Sequence, residues 1–239
     1  MKSMKERFWE LDAVRGIAVA LMVVFHILFD IKYFGFLTLE VPDFFWWAMP
    51  TIIAFIFLSI AGISLSISYA RNPAPERFLL RGTKIFFLGL LITIATWIYP
   101  RDGFIVFGIL HLIGLSIILS IPFLQLKKAN LLLGLIIIFA GFFLQTQYFG
   151  FPWLLWLGFI PKGFYSLDYY PLLPWFGIVL FGIFVGKEAY PSGKRNFKKS
   201  IEPKPLRFLS FLGRHSLAIY LLHQPIIVSA LFLVFGMPS

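Results

Sequence analysis

The sequence predicts an all-α, polytopic transmembrane helix bundle, and three observations carry that expectation. Of 239 residues 59% are hydrophobic and only 13% are charged, where a soluble domain carries about 25%. Several runs longer than ~18 residues hold few or no charges, the length that a lipid-spanning helix needs. Most of the basic residues fall between those runs or at their ends. No polar stretch is long enough for a separate soluble domain, so residues 1–239 are expected to form one membrane domain.

Seven spans follow, at about 13–34, 44–69, 79–98, 104–124, 130–149, 166–186 and 210–235. The breaks are written in turn chemistry: Pro42-Asp43, then Asn72-Pro73-Ala74-Pro75, then Pro100-Arg101-Asp102-Gly103, then the polar link from Gln125 to Asn130. The basic start MKSMKERFWELDAVRG has the look of a signal peptide. However, the apolar run after it contains Arg15, His26 and Asp30 and closes on no small-residue cleavage pattern, so it reads as an uncleaved first span.

The net charge of +10 would point to nucleic acid in a soluble protein. Here its placement points to membrane orientation instead, and nucleic acid drops out as a partner. With the N-terminus inside, the cytoplasmic segments hold Lys2, Lys5, Arg7, Arg15, Arg71, Arg77, Arg81, Lys84, Lys127 and Lys128. The last loop adds Lys187, Lys194, Arg195, Lys198, Lys199, Lys204, Arg207 and Arg214. Of the 21 basic residues, only Lys32, Arg101 and Lys162 lie elsewhere. The segment 148–171 has an apolar stretch from Phe151 to Ile160 that is too short to span. It reads as an outer interfacial or re-entrant stretch with Trp153, Trp156, Tyr169 and Tyr170 at the lipid boundary. The chain has no cysteine, which excludes disulfides, thiolate metal sites and a cysteine nucleophile. No metal site is expected.

Ionisable groups inside spans are expensive and face a bundle interior or a watery cavity. In the first span Asp12, Arg15, His26 and Asp30 fall within an arc of roughly 60° at about 100° per residue. His26 and Asp30, four apart, stack on adjacent turns, and a carboxylate on one imidazole nitrogen would fix the tautomer and raise the basicity of the other. That arrangement prepares a general base; a structural pair between helices is the alternative. His26 and His223 both lie roughly 16–20 Å from the inner surface at ~1.5 Å per residue, and His111 reaches a similar level from the outer side. Ser216, Tyr220 and His223 share a face of the last span, and Gln224-Pro225 follows where proline loosens the helix. Convergence at one depth favours a shared site over three separate contacts.

At the inner surface, Arg77, Arg81 and Lys84 open the third span, while Arg15 and Arg214 open the first and last. Orientation signalling accounts for such residues, but clustered at a pore mouth they also suit phosphate groups. Gly16, next to Arg15, lets backbone or ligand approach closely. Ser59, Gly62 and Ser66 on one face of the second span mark close helix packing.

Five segments, read in order, resemble the heparan-α-glucosaminide N-acetyltransferase-like family of transmembrane acyltransferases. They are ERFWELDAVRGIAVALMVVFHILFD, RFLLRGTKIFFLGL, GILHLIGLSIILS, YYPLLPWFGIVLFGIFVGK and FLGRHSLAIYLLHQPII. The resemblance covers nearly the whole chain. It implies a multi-span enzyme that moves an acyl group, usually acetyl, from acyl-CoA as co-substrate to an acceptor sugar or similar molecule. It implies CoA entry from the cytoplasmic side, with Arg15, Arg77 and Arg81 as candidates for the CoA phosphates. The expected function is therefore an integral membrane acyltransferase, with the plasma (cytoplasmic) membrane as the expected location. His26, oriented by Asp30, would deprotonate a hydroxyl or amine, and His223, Tyr220 or His111 would meet the thioester oxyanion. Membrane lipids and a small-molecule or glycan acceptor are the expected partners, and homo-oligomers are compatible with the sequence. Two rivals stand: an electron-transfer protein using paired histidines as haem ligands, and a transporter of an anionic metabolite.

Overall fold

A segment surrounded by lipid must close its backbone N–H and C=O groups on itself, so this composition dictates helix. The computed structural model describes residues 7–38, 40–197 and 201–237. Among those residues the chain forms eight α-helices and no β-strand. They are α1 (Trp9–Tyr33), α2 (Asp43–Arg71), α3 (Pro75–Ile98), α4 (Ile109–Leu119), α5 (Ala129–Gln145), α6 (Leu172–Ala189), α7 (Leu206–Arg214) and α8 (Ser216–Phe235). By length and composition α1, α2, α3, α6 and α8 can each cross a membrane, while α4 and α5 are shorter apolar helices. The all-helical membrane bundle expected from the sequence is the fold observed.

Two of the expected spans take a different form. The fourth, expected over 104–124, is a helix of 11 residues followed by a 3-10 turn over Pro122–Gln125. Its start is set by Asp168, whose carboxylate accepts the N–H of Ile109 at 3.1 Å and so serves one of the orphan donors at a helix N-terminus. The last, expected over 210–235, is broken at His215 (φ −105°, ψ 14°) into α7 and α8. The break falls where Arg214 and His215, both exposed, interrupt the apolar run.

The helices gather into two compact units: α1, the first half of α2, α7 and α8 in one, and the rest of α2 with α3 to α6 in the other. In the first unit α1 and α7 touch backbone to backbone. A Cβ on Gly16 would run into the Leu209 carbonyl, and one on Gly213 into the Asp12 carbonyl. Ser210, fully buried, donates from Oγ to the Trp9 carbonyl at 3.3 Å in the same seam. Beyond it Met22, Phe25 and Ile53 form a buried cluster, with Trp46, Phe57, Ile219 and Tyr220 packed around it.

The second unit uses the same device. Gly62 of α2 meets the Val179 carbonyl and Gly182 of α6, and Ser66 sits against Gly186, so the small face of the second span packs helix on helix as expected. Gly82 abuts Gly114 between α3 and α4, and Gly134 abuts Gly177 between α5 and α6. Lipid gives no hydrophobic drive for helices to associate, so close van der Waals approach at small residues takes its place. In the segment after α5, Trp153 is 72% exposed, in keeping with a boundary residue. Tyr169 is half-buried, and its hydroxyl donates to the Leu155 carbonyl at 2.7 Å. Tyr170, also half-buried, hydrogen-bonds through its backbone N–H to Phe107.

Replacing Gly213 by Leu should therefore destabilise the protein by ~1–3 kcal/mol, the usual cost of forcing extra atoms into a closed seam, read as a lowered Tm in detergent. Gly150→Ala should leave Tm unchanged, because a Cβ at Gly150 meets nothing within 4 Å.

Candidate functional site

An imidazole in a helix can donate to a carbonyl one turn back, and three of the four histidines do so, all inside the first unit; two of the three, His26 and His223, also meet each other. In α1, His26 Nδ1 lies 2.8 Å from the Met22 carbonyl oxygen. In α8, His223 Nδ1 lies 2.6 Å from the Tyr220 carbonyl oxygen. A carbonyl only accepts, so in each neutral ring Nδ1 carries the proton and Nε2 carries the lone pair. The two rings meet edge to face, with centroids 4.6 Å apart and planes at 76°. His223 is buried, and its Nε2 has no hydrogen-bond partner among the described residues. Two imidazoles from helices far apart in the chain thus sit against each other, each holding a lone pair ready to accept a proton. The expected convergence of His26 and His223 is present.

The expected role of Asp30 is not. No hydrogen bond joins it to His26 among the described residues; its Oδ1 instead accepts from the Gln224 amide at 3.4 Å. The reason is local. The Met22 carbonyl four residues back takes the Nδ1 proton, so the tautomer is set without the carboxylate. Tautomer control comes from the backbone. Gln224 is the residue that sequence reasoning passed over. Its signal was a polar side chain directly after His223 in an otherwise apolar helix. Tyr220 contributes its carbonyl to His223, and its ring lies 5.5 Å from that imidazole.

His111 belongs to the second unit and has another occupation. Its Nδ1 accepts the N–H of Gly108 at 3.2 Å, and its Nε2 lies 3.3 Å from Thr93 Oγ1. The Thr93 hydroxyl spends its own proton on the Ile105 carbonyl at 2.7 Å, so it accepts from His111 Nε2–H. Both ring nitrogens are engaged, and the tautomer is opposite to that of His26. Phe107 stacks on the ring and Phe86 meets it edge-on. This is a satisfied structural histidine, and its expected membership of the site is corrected. The fourth, His215, is exposed at the α7–α8 junction and donates from Nδ1 to Phe211 at 2.9 Å.

The basic residues separate as well. Arg15 Nη1 donates to Asp12 Oδ1 at 2.8 Å, an ion pair within α1, and the room beside Gly16 is filled by the α7 backbone rather than left for a ligand. In the second unit Arg77 and Arg81, one turn apart on α3, line a cleft of about 180 Å³ with Ser68, Asn72 and Phe78. Lys84 is exposed farther along α3, and Arg214 is exposed at the end of α7.

The geometry tests the haem rival directly. With metal–nitrogen bonds of ~2 Å, two axial imidazoles hold their ring centroids roughly 6 Å apart, and the observed 4.6 Å leaves no room for an iron between them. Among the described residues no three of His, Cys, Asp and Glu gather as metal ligands.

The sequence model of the family described as heparan-alpha-glucosaminide N-acetyltransferase, catalytic, matches residues 7–225. The chain belongs to this family. No curated protein and no solved structure matches it. The matched range of this N-acetyltransferase-family protein holds His26, Asp30, Tyr220, His223 and Gln224, as well as Arg77 and Arg81.

Proposed function

We propose that this protein is an integral membrane acyltransferase that moves an acyl group, acetyl first among them, from acyl-CoA to a hydroxyl or amine on a small-molecule or glycan acceptor. The family supports a membrane transferase, and the observation that carries the chemistry is the His26–His223 pair with both lone pairs on Nε2. The acceptor's O–H or N–H donates to one Nε2 and its heteroatom attacks the thioester carbonyl. The tetrahedral intermediate then expels the CoA thiolate, which takes up the proton that the imidazole received. The second imidazole has a clear use in this scheme. Its bare Nε2 accepts from the newly protonated ring, so the charge is shared in a site where a lone imidazolium would be costly. The Tyr220 hydroxyl, on the ring beside His223, is the proposed partner of the oxyanion. The cleft at Arg77 and Arg81 suits the donor's phosphates, which take charge-assisted bonds from guanidinium forks. The charge bias along the chain supports an N-inside orientation with that cleft facing the cytoplasm.

Three outcomes are expected. His26→Ala and His223→Ala should each lower acyl transfer by ~10²–10⁴-fold, the usual contribution of a general base, at unchanged acetyl-CoA affinity. Folded His26→Ala and His223→Ala proteins that both turn over at the parent rate would refute the mechanism. Acetyl-CoA should raise Tm by mass action on the folded protein, and Arg77→Gln or Arg81→Gln should weaken its binding roughly tenfold. The absence of any shift at millimolar acetyl-CoA would turn the reading toward a transporter. Finally, single cysteines placed at Asn196 and Lys162, both exposed, should react with an impermeant thiol reagent from opposite sides of the membrane. Labelling from the same side would overturn the orientation.

A further inference from the structure

With the tautomer of His26 set by the Met22 carbonyl, Asp30 has no task in the proton transfer, yet it is among the most buried polar residues of the first unit at 3% exposure. Its carboxylate has one hydrogen bond among the described residues, to the Gln224 amide at 3.4 Å through Oδ1. Oδ2 is buried with no partner among the described residues, and so is Oε1 of Gln224. Immediately before Gln224 in the chain, His223 holds its bare Nε2. The α1–α8 contact therefore presents three buried hydrogen-bond acceptors, and the described residues supply no donor to any of them. Desolvated acceptors are costly to leave unmet, more so within a membrane span. Structural side-chain pairs in such a place close on each other; this one leaves one oxygen on each partner uncommitted. A ligand that brings donors completes it.

We propose that Asp30 and Gln224 are an acceptor-holding pair. Their bare oxygens take two hydroxyls on neighbouring carbons of a polyhydroxyl acceptor, beside the group whose proton goes to the histidine pair. The proposal rests on the transferase reading for its place in the reaction, but the binding it describes stands apart from that reading. Two facts point to a pair of hydroxyls. The two oxygens belong to separate planar groups that are hydrogen-bonded to each other, so they lie a few ångströms apart, as do the donors of a vicinal diol. One of them is the oxygen of a neutral carboxamide, which gives a hydroxyl a full partner but offers a cation little.

Three ring compounds that differ only in their donors make the test: trans-1,2-cyclohexanediol, cyclohexanol and cyclohexylamine, each titrated by thermal shift into the full-length protein in detergent. The diol should stabilise the parent protein more than cyclohexanol at equal concentration. Gln224→Met and Asp30→Asn should each weaken diol binding roughly tenfold, the value of a hydrogen bond to a buried or charged partner, and abolish the preference over cyclohexanol. Acetyl-CoA should still raise the Tm of both variants, which shows them folded with the donor cleft intact. A variant that fails to fold leaves the comparison of the three compounds on the parent protein decisive. Equal shifts from diol and cyclohexanol would overturn the proposal. So would a dominant response to cyclohexylamine that survives Gln224→Met and disappears in Asp30→Asn, because that pattern belongs to a cation site at Asp30 alone. If acetyl-CoA shifts nothing while the diol preference holds, the transferase reading fails and the binding pair remains.

Discussion

The contact of α1 with α7 at Gly16 and Gly213 is the constraint on which the candidate site depends. At those two positions the backbones are so close that neither helix could carry a Cβ without moving the other. α7 is thereby fixed along the start of α1, and α8 begins just past the break at His215. The register of α8 against α1 follows from that short connection. Within it His223 arrives beside His26, and Gln224 beside Asp30. Glycine at these points is a matter of room. Both lie in helices, where its conformational freedom is a cost rather than a benefit.

Within that frame, backbone carbonyls decide the chemistry of the histidines. A carbonyl of its own helix holds the Nδ1 proton of His26 and of His223, which leaves Nε2 as the basic atom of each ring. His111 shows the contrary case within the same chain. A backbone N–H fills its Nδ1, and Thr93 takes its Nε2 proton. Identical side chains in apolar surroundings thus take opposite tautomers according to whether the neighbouring backbone offers an acceptor or a donor. A carboxylate is not required to set a tautomer when a carbonyl is already in reach.

Much of the architecture was legible because it rests on composition and periodicity. The positions of most helices, the small-residue face at Ser59, Gly62 and Ser66, and the meeting of His26 with His223 follow from spacing along the chain. What was not legible depends on partners distant in sequence. Asp168 starts α4 from 59 positions beyond Ile109, so a span drawn from hydropathy overran the helix. The assignment of Asp30 to His26 used a correct spacing but overlooked the competing carbonyl four residues back. Depth alone grouped His111 with the other two, since depth says nothing about whether a ring's nitrogens are already engaged. Gln224 was overlooked because an uncharged polar residue beside a histidine attracts less notice than a carboxylate, although the cost of burying it unpaired is of the same kind.

The central claim is that His26 and His223 are neutral rings protonated on Nδ1 with the lone pair on Nε2. Nitrogen-15 spectra of imidazole-labelled protein read this directly, since the two nitrogens of a neutral ring resonate far apart, and the chain has only four histidines to assign by single replacement. Nδ1-protonated signals are expected for His26 and His223 and an Nε2-protonated signal for His111. An Nε2-protonated His26 or His223, or a doubly protonated ring held beside Asp30 across the neutral pH range, would contradict it.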